Sequence, residues 1–460
     1  MRKFTRRRFL EAGVAAAAGL RSFPGRAEEG IPAGDRPERQ PGVEVLHPRA
    51  RVPLSFFIDD STCLVNMGHF CMPQFAEAWP SAGIYKKPWK TWPREIPDAF
   101  VREFGEWCAE HGVRGKYSVV PYPACVGWLD RELPGWSRRE LRDSLRLVRE
   151  LMAPRWDIHP EMVTHTRVID LATGRPLEEV SPATMENSYP QVRKSVDELA
   201  SYIAYALRIL KNCDLPCEGI TTPGGFGSLV KSELSLAVGE AVRDVYGAEI
   251  PHYFKYVSEG GESAEPRLEH VSGLARGEPR LTVNVPAGTG DWFGDWDGDR
   301  RPDGDRYANA GATGGRLVEL IERGEPAILL CHWPGMYTQG TKEGFAHFQR
   351  VALALEARYR DRTIWMRSSE IARYWAARGL TGIRREGARV ALSAPFAAPD
   401  FTLRVSEARV FPPRLEREGA AAPLREVRSL RDLSSGTFFR EGTAATVCFD
   451  LAKGESALAV

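Results

Sequence analysis

The 460-residue chain has no Cys-x-x-Cys pair among its eight cysteines, so a structural zinc ribbon is not expected. It has no surplus of charge either: 62 basic and 61 acidic residues leave +1, which is no footprint for a nucleic-acid partner. No repeat recurs at a fixed period, which argues against a solenoid or propeller. With 43% hydrophobic and 27% charged residues, the chain is neither a disordered nor a collagen-like nor a multi-span membrane sequence. It is also too long for one small domain.

The neutral total hides an uneven distribution. Residues 1–27 carry seven basic side chains against Glu11 alone, a net +6, so the remainder is mildly acidic at −5. Within that segment Thr5-Arg6-Arg7-Arg8-Phe9-Leu10 resembles the bacterial twin-arginine export motif, followed by the apolar run Gly13–Leu20 and Pro24-Gly25. The run is too short to span a bilayer, so residues 1–27 read as a removable twin-arginine signal peptide rather than a stable membrane anchor. The expected partner is the twin-arginine export machinery, and the expected location is periplasmic or secreted. An oxidising compartment suits disulfides: Cys213 with Cys217 is the first candidate pair, Cys63 with Cys71 the second.

Residues 28–46, rich in Gly, Pro, Glu and Arg, read as a linker. From there, apolar runs alternate with helical periodicity over about 330 residues. The strands are expected near Val52–Ile58, Lys116–Val120, Trp156–Thr166, Glu218–Thr222, His252–Val257, Leu281–Val285, Ala327–His332 and Thr363–Met366. Helices are expected near Ile96–His111, 137–152, Val192–Leu210, Ser232–Val245, Gly315–Arg323, Phe345–Tyr359 and Ser368–Arg378. The Trp-rich stretch through Trp79, Trp89 and Trp92 reads as a long loop. This is α/β alternation on the scale of a β/α barrel, expected over residues 47–378. Beyond it, short strands between Pro, Gly and charged turns predict a small β-sandwich over residues 379–460.

Five places could carry chemistry. Asp59-Asp60 ends the first long strand, and adjacent carboxylates there are expensive unless one binds a cation while the other takes a proton. The stretch Trp156–His165 carries Asp157, His159, Glu161 and His165, imidazoles and carboxylates that could hold a zinc-like ion. His332 ends an apolar strand, where a near-neutral pKa suits acid–base work. Thr222-Pro223-Gly224-Gly225 could let backbone amides approach a ligand, Gly224 and Gly225 being the candidates. In the Asp-rich segment from Asp291, Asp295, Asp297 and Asp299 imitate a calcium loop, but Arg300 stands where its glycine belongs. Trp292 and Trp296 there could stack on a sugar or plug the barrel mouth.

Taken in order, Ile58-Asp59-Asp60, Glu161-Met162-Val163-Thr164-His165-Thr166, Thr222-Pro223-Gly224-Gly225, Asp291-Trp292 and Leu329-Leu330-Cys331-His332 resemble the motifs of the polysaccharide deacetylase (NodB-homology) family. The resemblance spans residues 50–378. It implies a metal-dependent carbohydrate esterase: Asp59 as the base, Asp60 and His165 as ligands of a divalent, zinc-like metal, His332 as the acid. The family's second histidine, four residues after the first, is Ile169 here; Asp170, His69 or His159 are the candidates to replace it. Its glycine after the Asp pair is Ser61, and its arginine before the Pro-Gly turn is Thr221. Two other readings stay open: a metal-free glycosidase using carboxylates such as Asp59 and Glu161, and a non-catalytic glycan-binding protein. A carbohydrate is the partner in all three.

Overall fold

A computed structural model describes residues 30–260 and 262–460; the signal-peptide reading of residues 1–27 falls outside them. In chain order the strands are β1 (Val43–Val45), β2 (Val52–Asp59), β3 (Gly115–Ser118), β4 (Trp156–His159), β5 (Ile169–Asp170), β6 (Arg175–Pro176), β7 (Gly219–Thr221), β8 (His252–Phe254), β9 (Arg267–Ser272), β10 (Arg280–Asn284), β11 (Ala327–His332) and β12 (Thr363–Trp365). The C-terminal region adds β13 (Gly382–Glu386), β14 (Arg389–Ala394), β15 (Ala398–Val405), β16 (Arg414–Arg417), β17 (Ala420–Pro423), β18 (Arg425–Glu426), β19 (Thr437–Glu441), β20 (Ala444–Leu451) and β21 (Gly454–Ala459).

The protein is mixed α/β with several sheets. One parallel sheet runs β11-β2-β3-β4, with β12 pairing the start of β2; a second runs β7-β8-β10-β9, with only β9 antiparallel. All eight residues of β2 are buried, which is why its sequence is a continuous apolar run rather than an alternation. The two sheets are hydrogen-bonded to each other at both edges. Thr221 N–H donates to Pro160 O (2.9 Å) and Met162 N–H to Thr221 O (3.3 Å), while Gly288 N–H donates to Ile328 O (2.8 Å). The parallel register of β2 with β11 places His332 beside Asp59.

The expected helices form, with their ends set by local signals. Ser137 with Glu140 and Ser195 with Glu198 make capping boxes for Arg138–Leu147 and Val196–Asn212. Lys231–Tyr246 stops at Gly247 (φ 69°), a left-handed position that glycine adopts without strain.

Four expectations need correction. The segment read as a linker contains β1, whose Val43 and Val45 pair with β15. The Trp-rich loop is preceded by a helix, Met67–Ala78, whose buried Met67, Cys71, Met72 and Phe75 follow helical spacing despite Pro73. The strand expected over Trp156–Thr166 ends at His159, because Pro160 cannot donate to a ladder. The cysteines are all free. Cys213 and Cys217 face different apolar clusters, and the Cys217 thiol donates to Gly219 O (3.0 Å).

The C-terminus is sheet-rich, as expected, with two five-stranded sheets ordered β1-β15-β20-β19-β18 and β13-β14-β21-β16-β17. Val390, Leu392 and Leu458 of one meet Phe401, Leu403 and Phe449 of the other in a shared apolar cluster. That cluster continues through Ile371 and Trp375 of the helix Ser368–Leu380 to Ile328 and Val283, so the β region is packed onto the α/β sheets. Among the described residues, no helix is long and apolar enough to cross a membrane.

Candidate functional site

Asp59 and Asp60 end β2, and their neighbours come from loops after β4, β10 and β11. Successive strand residues point to opposite faces, but Asp60 takes a left-handed backbone (φ 56°) that breaks the alternation. His165 (φ 64°) and Met162 (φ 46°) are also left-handed. Three non-glycine residues in that region mark a backbone held by its surroundings, of the kind that clusters at functional sites.

The first cluster is Asp60, Glu161 and His165, whose ligand-type atoms all lie within 4.8 Å of one another and are buried. His165 Nε2 is 2.6 Å from Asp60 Oδ1 and 3.5 Å from Glu161 Oε1, and Asp60 N–H donates to Glu161 Oε2 (2.8 Å). Burial alone would strip the proton from His165, but Asp60 and Glu161 hold its pKa well above the usual imidazole value. Against its own burial, Glu161 is drawn down to about 2, chiefly by His165. The pocket is therefore built for positive charge. Apart from the His165 imidazole, the buried Asp60 Oδ1 faces no hydrogen-bond donor, and one imidazole with two carboxylates is a donor set for a divalent cation. The residues fit a metal.

The loop carrying His165 is held by a carboxylate that the sequence reading passed over. Glu186, fully buried, accepts from the backbone N–H groups of Val163, Thr164 and His165, and from the Tyr202 hydroxyl (2.5 Å). Its burial raises its pKa to about 7 in spite of those donors.

Beside this cluster, Asp59 is ion-paired with Lys116, a residue with no exposed surface. Burial first, and then repulsion by Glu161, raise the Asp59 pKa to about 7, while Lys116 and His332 pull it down. Opposite, His332 Nδ1 lies 2.8 Å from Asp291 Oδ2, which also accepts the His332 N–H (3.1 Å). That leaves Nε2 for proton transfer. Burial opposes the charge, but Asp291 and the carboxylates of Asp60 and Asp59 lift His332 to about 10. At 18% exposure, the His332 side chain is more open than those of Asp60 (1%) and His165 (4%), so the cluster faces solvent on the His332 side.

The structure thus brings Asp59, Asp60, Glu161, His165, Asp291 and His332 together, and adds Lys116 and Glu186. The three candidates for the missing ligand are engaged elsewhere. Asp170 is exposed and caps its own turn through the N–H groups of Ala172 and Thr173. His69 Nδ1 pairs with Trp92 O (3.0 Å), and His159 Nε2 with His252 Nε2 (3.0 Å). Glu161, four residues before His165 rather than after it, stands in their place. Asp157 is remote from the cluster, accepting from Ser369 N–H and Oγ at the start of the last helix.

The remaining expectations fare differently. Gly225 N–H donates to Asn187 O (2.7 Å), Gly227 N–H to Tyr189 O (2.7 Å) and Phe226 N–H to Pro223 O (2.9 Å). Those amides are spent on the fold, and Gly225 is required because a Cβ would meet Asn187 O at 2.8 Å. Gly224 lies exposed at the turn (φ 43°). Trp292 and Trp296 are buried, the first against Tyr307 with Arg306 over its ring, the second against Phe75 and Tyr85. They therefore fill the protein rather than offer an open face to a sugar. The calcium-like loop is closed by Lys87, whose ammonium sits 2.5 Å from Asp297 and 3.4 Å from Asp299. A cavity of about 850 Å³ lies at the opposite ends of these strands, among Arg49, Arg114, Thr363 and Arg373, and holds none of the clustered groups.

No family model matches the chain, and no curated protein matches it. Among solved structures it is similar to a "putative glycoside hydrolase/deacetylase" from Parabacteroides distasonis, with 10% identity over 80% of this chain and 83% of that one and a TM-score of 0.39. It is also similar to the α-fucosidase of Thermotoga maritima, with 12% identity over 90% and 97% and a TM-score of 0.28. Likenesses this distant leave the functional argument with the site itself.

Proposed function

We propose that the protein is an exported, metal-dependent hydrolase that removes an acyl group from a carbohydrate or glycoconjugate. The observation that carries this reading is the convergence of Asp60, Glu161 and His165 on one buried pocket, with Asp59 on one side and the His332–Asp291 pair on the other. A divalent metal bound there would polarise the acyl carbonyl and a water molecule. Asp59, with a pKa near neutrality, takes the proton from the attacking water. His332, charged at neutral pH and fixed through Nδ1 by Asp291, returns a proton through Nε2 to the departing amine or alcohol. Lys116 keeps Asp59 oriented, the part that Thr221 cannot play because its hydroxyl faces His159 (3.4 Å).

The order of the sequence motifs supports a carbohydrate as the substrate. The hydrogen bonds joining the two α/β sheets at both edges support a closed, distorted β/α barrel with this site at the C-terminal ends of its strands. The Arg6-Arg7 pair and the apolar run behind it support twin-arginine export to the periplasm; replacing both arginines by lysine would block export of a fused reporter. A glycosidase acting through Glu161 is less favoured, because a carboxyl drawn down to about 2 is a poor proton donor.

The test begins with the metal content of residues 28–460, purified without chelator, for the wild type and Asp60→Ala. The loaded wild type is then assayed for acetate release from acetylated glycans, with Asp59→Asn as control. A wild type that binds no zinc, manganese or cobalt sinks the mechanism. Metal bound without acetate release from any acetylated glycan leaves a binding protein.

A further inference from the structure

Two adjacent carboxylates end β2, one metal pocket lies beside them, and both are buried. Nothing in the sequence Asp59-Asp60 says why one should bind a cation and the other stay free. The geometry points to Lys116 as the positioning residue that holds Asp59 off the cation site, so that the two neighbours take different roles. This rests on the metal reading above.

Lys116 lies on β3 opposite Phe57, one residue before Asp59's strand neighbour Ile58 in the register. An ammonium has three protons and no acceptor, and here each finds a fixed partner: Asp59 Oδ1, Ile58 O (3.1 Å) and Ser118 Oγ (3.0 Å). The rings of Phe57 and Phe254 flank it at 5.7 and 5.2 Å from their centroids. With no exposed surface and every proton committed, the side chain has no alternative position. It ties one oxygen of Asp59 to the β3 side of the pocket, while Asp60 turns through its left-handed backbone toward His165.

Without Lys116, Asp59 would be a buried carboxylate repelled by Glu161, left with His332 and a metal in the pocket as the cations that could pair with it. Carboxylates readily join divalent metals. A fourth protein ligand would then occupy the position that water and substrate need, since catalytic sites keep an open coordination position. A lysine does this work better than a methionine of similar length because only the charge competes with the metal for Asp59.

The experiment is a cobalt(II) titration of residues 28–460, read by visible absorption, whose intensity and band positions report coordination number. Four proteins are compared: wild type, Asp59→Asn, Lys116→Met and the double variant Lys116→Met/Asp59→Asn. The wild type and Asp59→Asn are expected to give superimposable spectra, because Asp59 lies outside the coordination shell. Lys116→Met is expected to shift the bands and to bind cobalt more tightly, because a carboxylate joins the ion. The double variant should return to the wild-type spectrum, a reversal that mere loosening of the core would not produce. Should Lys116→Met fail to fold, the comparison of wild type with Asp59→Asn decides: a changed spectrum makes Asp59 a ligand and overturns the inference. A folded Lys116→Met with the wild-type spectrum overturns it too. A wild type that takes up no cobalt removes the metal reading and this inference together, whereas the other failures leave the metal reading intact.

Discussion

Two pairs of histidines in the α/β region differ in charge. His159 and His252 face each other inside the molecule, Nε2 to Nε2 at 3.0 Å, both with no exposed surface. Burial and mutual repulsion drive His159 well below the ordinary imidazole pKa, and burial takes His252 to about 4. One proton between the two facing nitrogens satisfies both rings, so the pair is neutral. His165 is buried and His332 is 18% exposed; burial opposes the charge on both, yet Asp60 and Glu161 raise the first and Asp291 the second. Burial lowers an imidazole pKa, and a carboxylate close enough outweighs it and raises the pKa instead. The two histidines that face each other stay neutral, and the two that face carboxylates carry charge.

The strongest way to break this contrast is to delete His165, the histidine that the proposed function places on the cation. His165→Ala should lower zinc affinity by more than about 100-fold, since even outer-shell partners of a metal cost 10–100-fold. Isothermal titration with zinc checks it, and His159→Gln in a folded protein should leave the affinity in the wild-type range. His332→Asn separates chemistry from binding. Turnover on an acylated glycan should fall by ~100-fold or more for loss of a general acid, with metal content unchanged. Loss of metal in that variant would move His332 into the coordination shell, in a second cluster with Asp291 and Asp295.

The interior pair can be tested through pH. His252 has a folded pKa of about 4 against 6.5 unfolded, so the unfolded chain takes up its proton first as the medium is acidified. The stability it confers is complete above pH 6.5 and is lost as the pH falls toward 4, by about 3 kcal/mol. Glu218 favours its charged form, Arg367 opposes it, and His159 shares its hydrogen bond, so none of these reverses the sign. Denaturant melts of wild type and His252→Gln at pH 7 and pH 4.5 check this: the variant should show the smaller loss. An equal loss in both would place the acid sensitivity elsewhere.

The strand ends were legible in the sequence because each needed only a local pattern. An apolar run closing on Asp59-Asp60, and another closing on His332, carry their own meaning. What could not be read was every contact made across the sheets. Lys116 looked like a routine strand lysine, since nothing in Gly115-Lys116-Tyr117-Ser118 tells that both faces of β3 are buried. Glu186 lies 21 residues from the His165 amide it supports. Glu161 was visible, but as one of several polar residues on an expected regular strand; Pro160 ended that strand and freed the next five residues to loop back. Trp292 and Trp296 misled for a related reason, because tryptophan composition alone does not separate a sugar platform from a plug.

The smallest expected effect is the most pointed test of that reading, because it concerns a residue that spacing alone favours. Asp170 lies five residues after His165, close to where a second metal ligand belongs by resemblance, yet its side chain is exposed and caps a turn in the hairpin β5–β6. Asp170→Asn keeps an oxygen for those two N–H donors, so stability should change by less than about 0.5 kcal/mol, as for most surface substitutions. Zinc affinity should stay within about twofold, as suits a residue outside the outer shell. Glu161→Gln, in contrast, removes a charge that His165 and the cation both require. If Asp170→Asn weakened zinc binding and Glu161→Gln did not, the hairpin would have to fold over the pocket when metal binds, and the ligand set would be the one the spacing suggested.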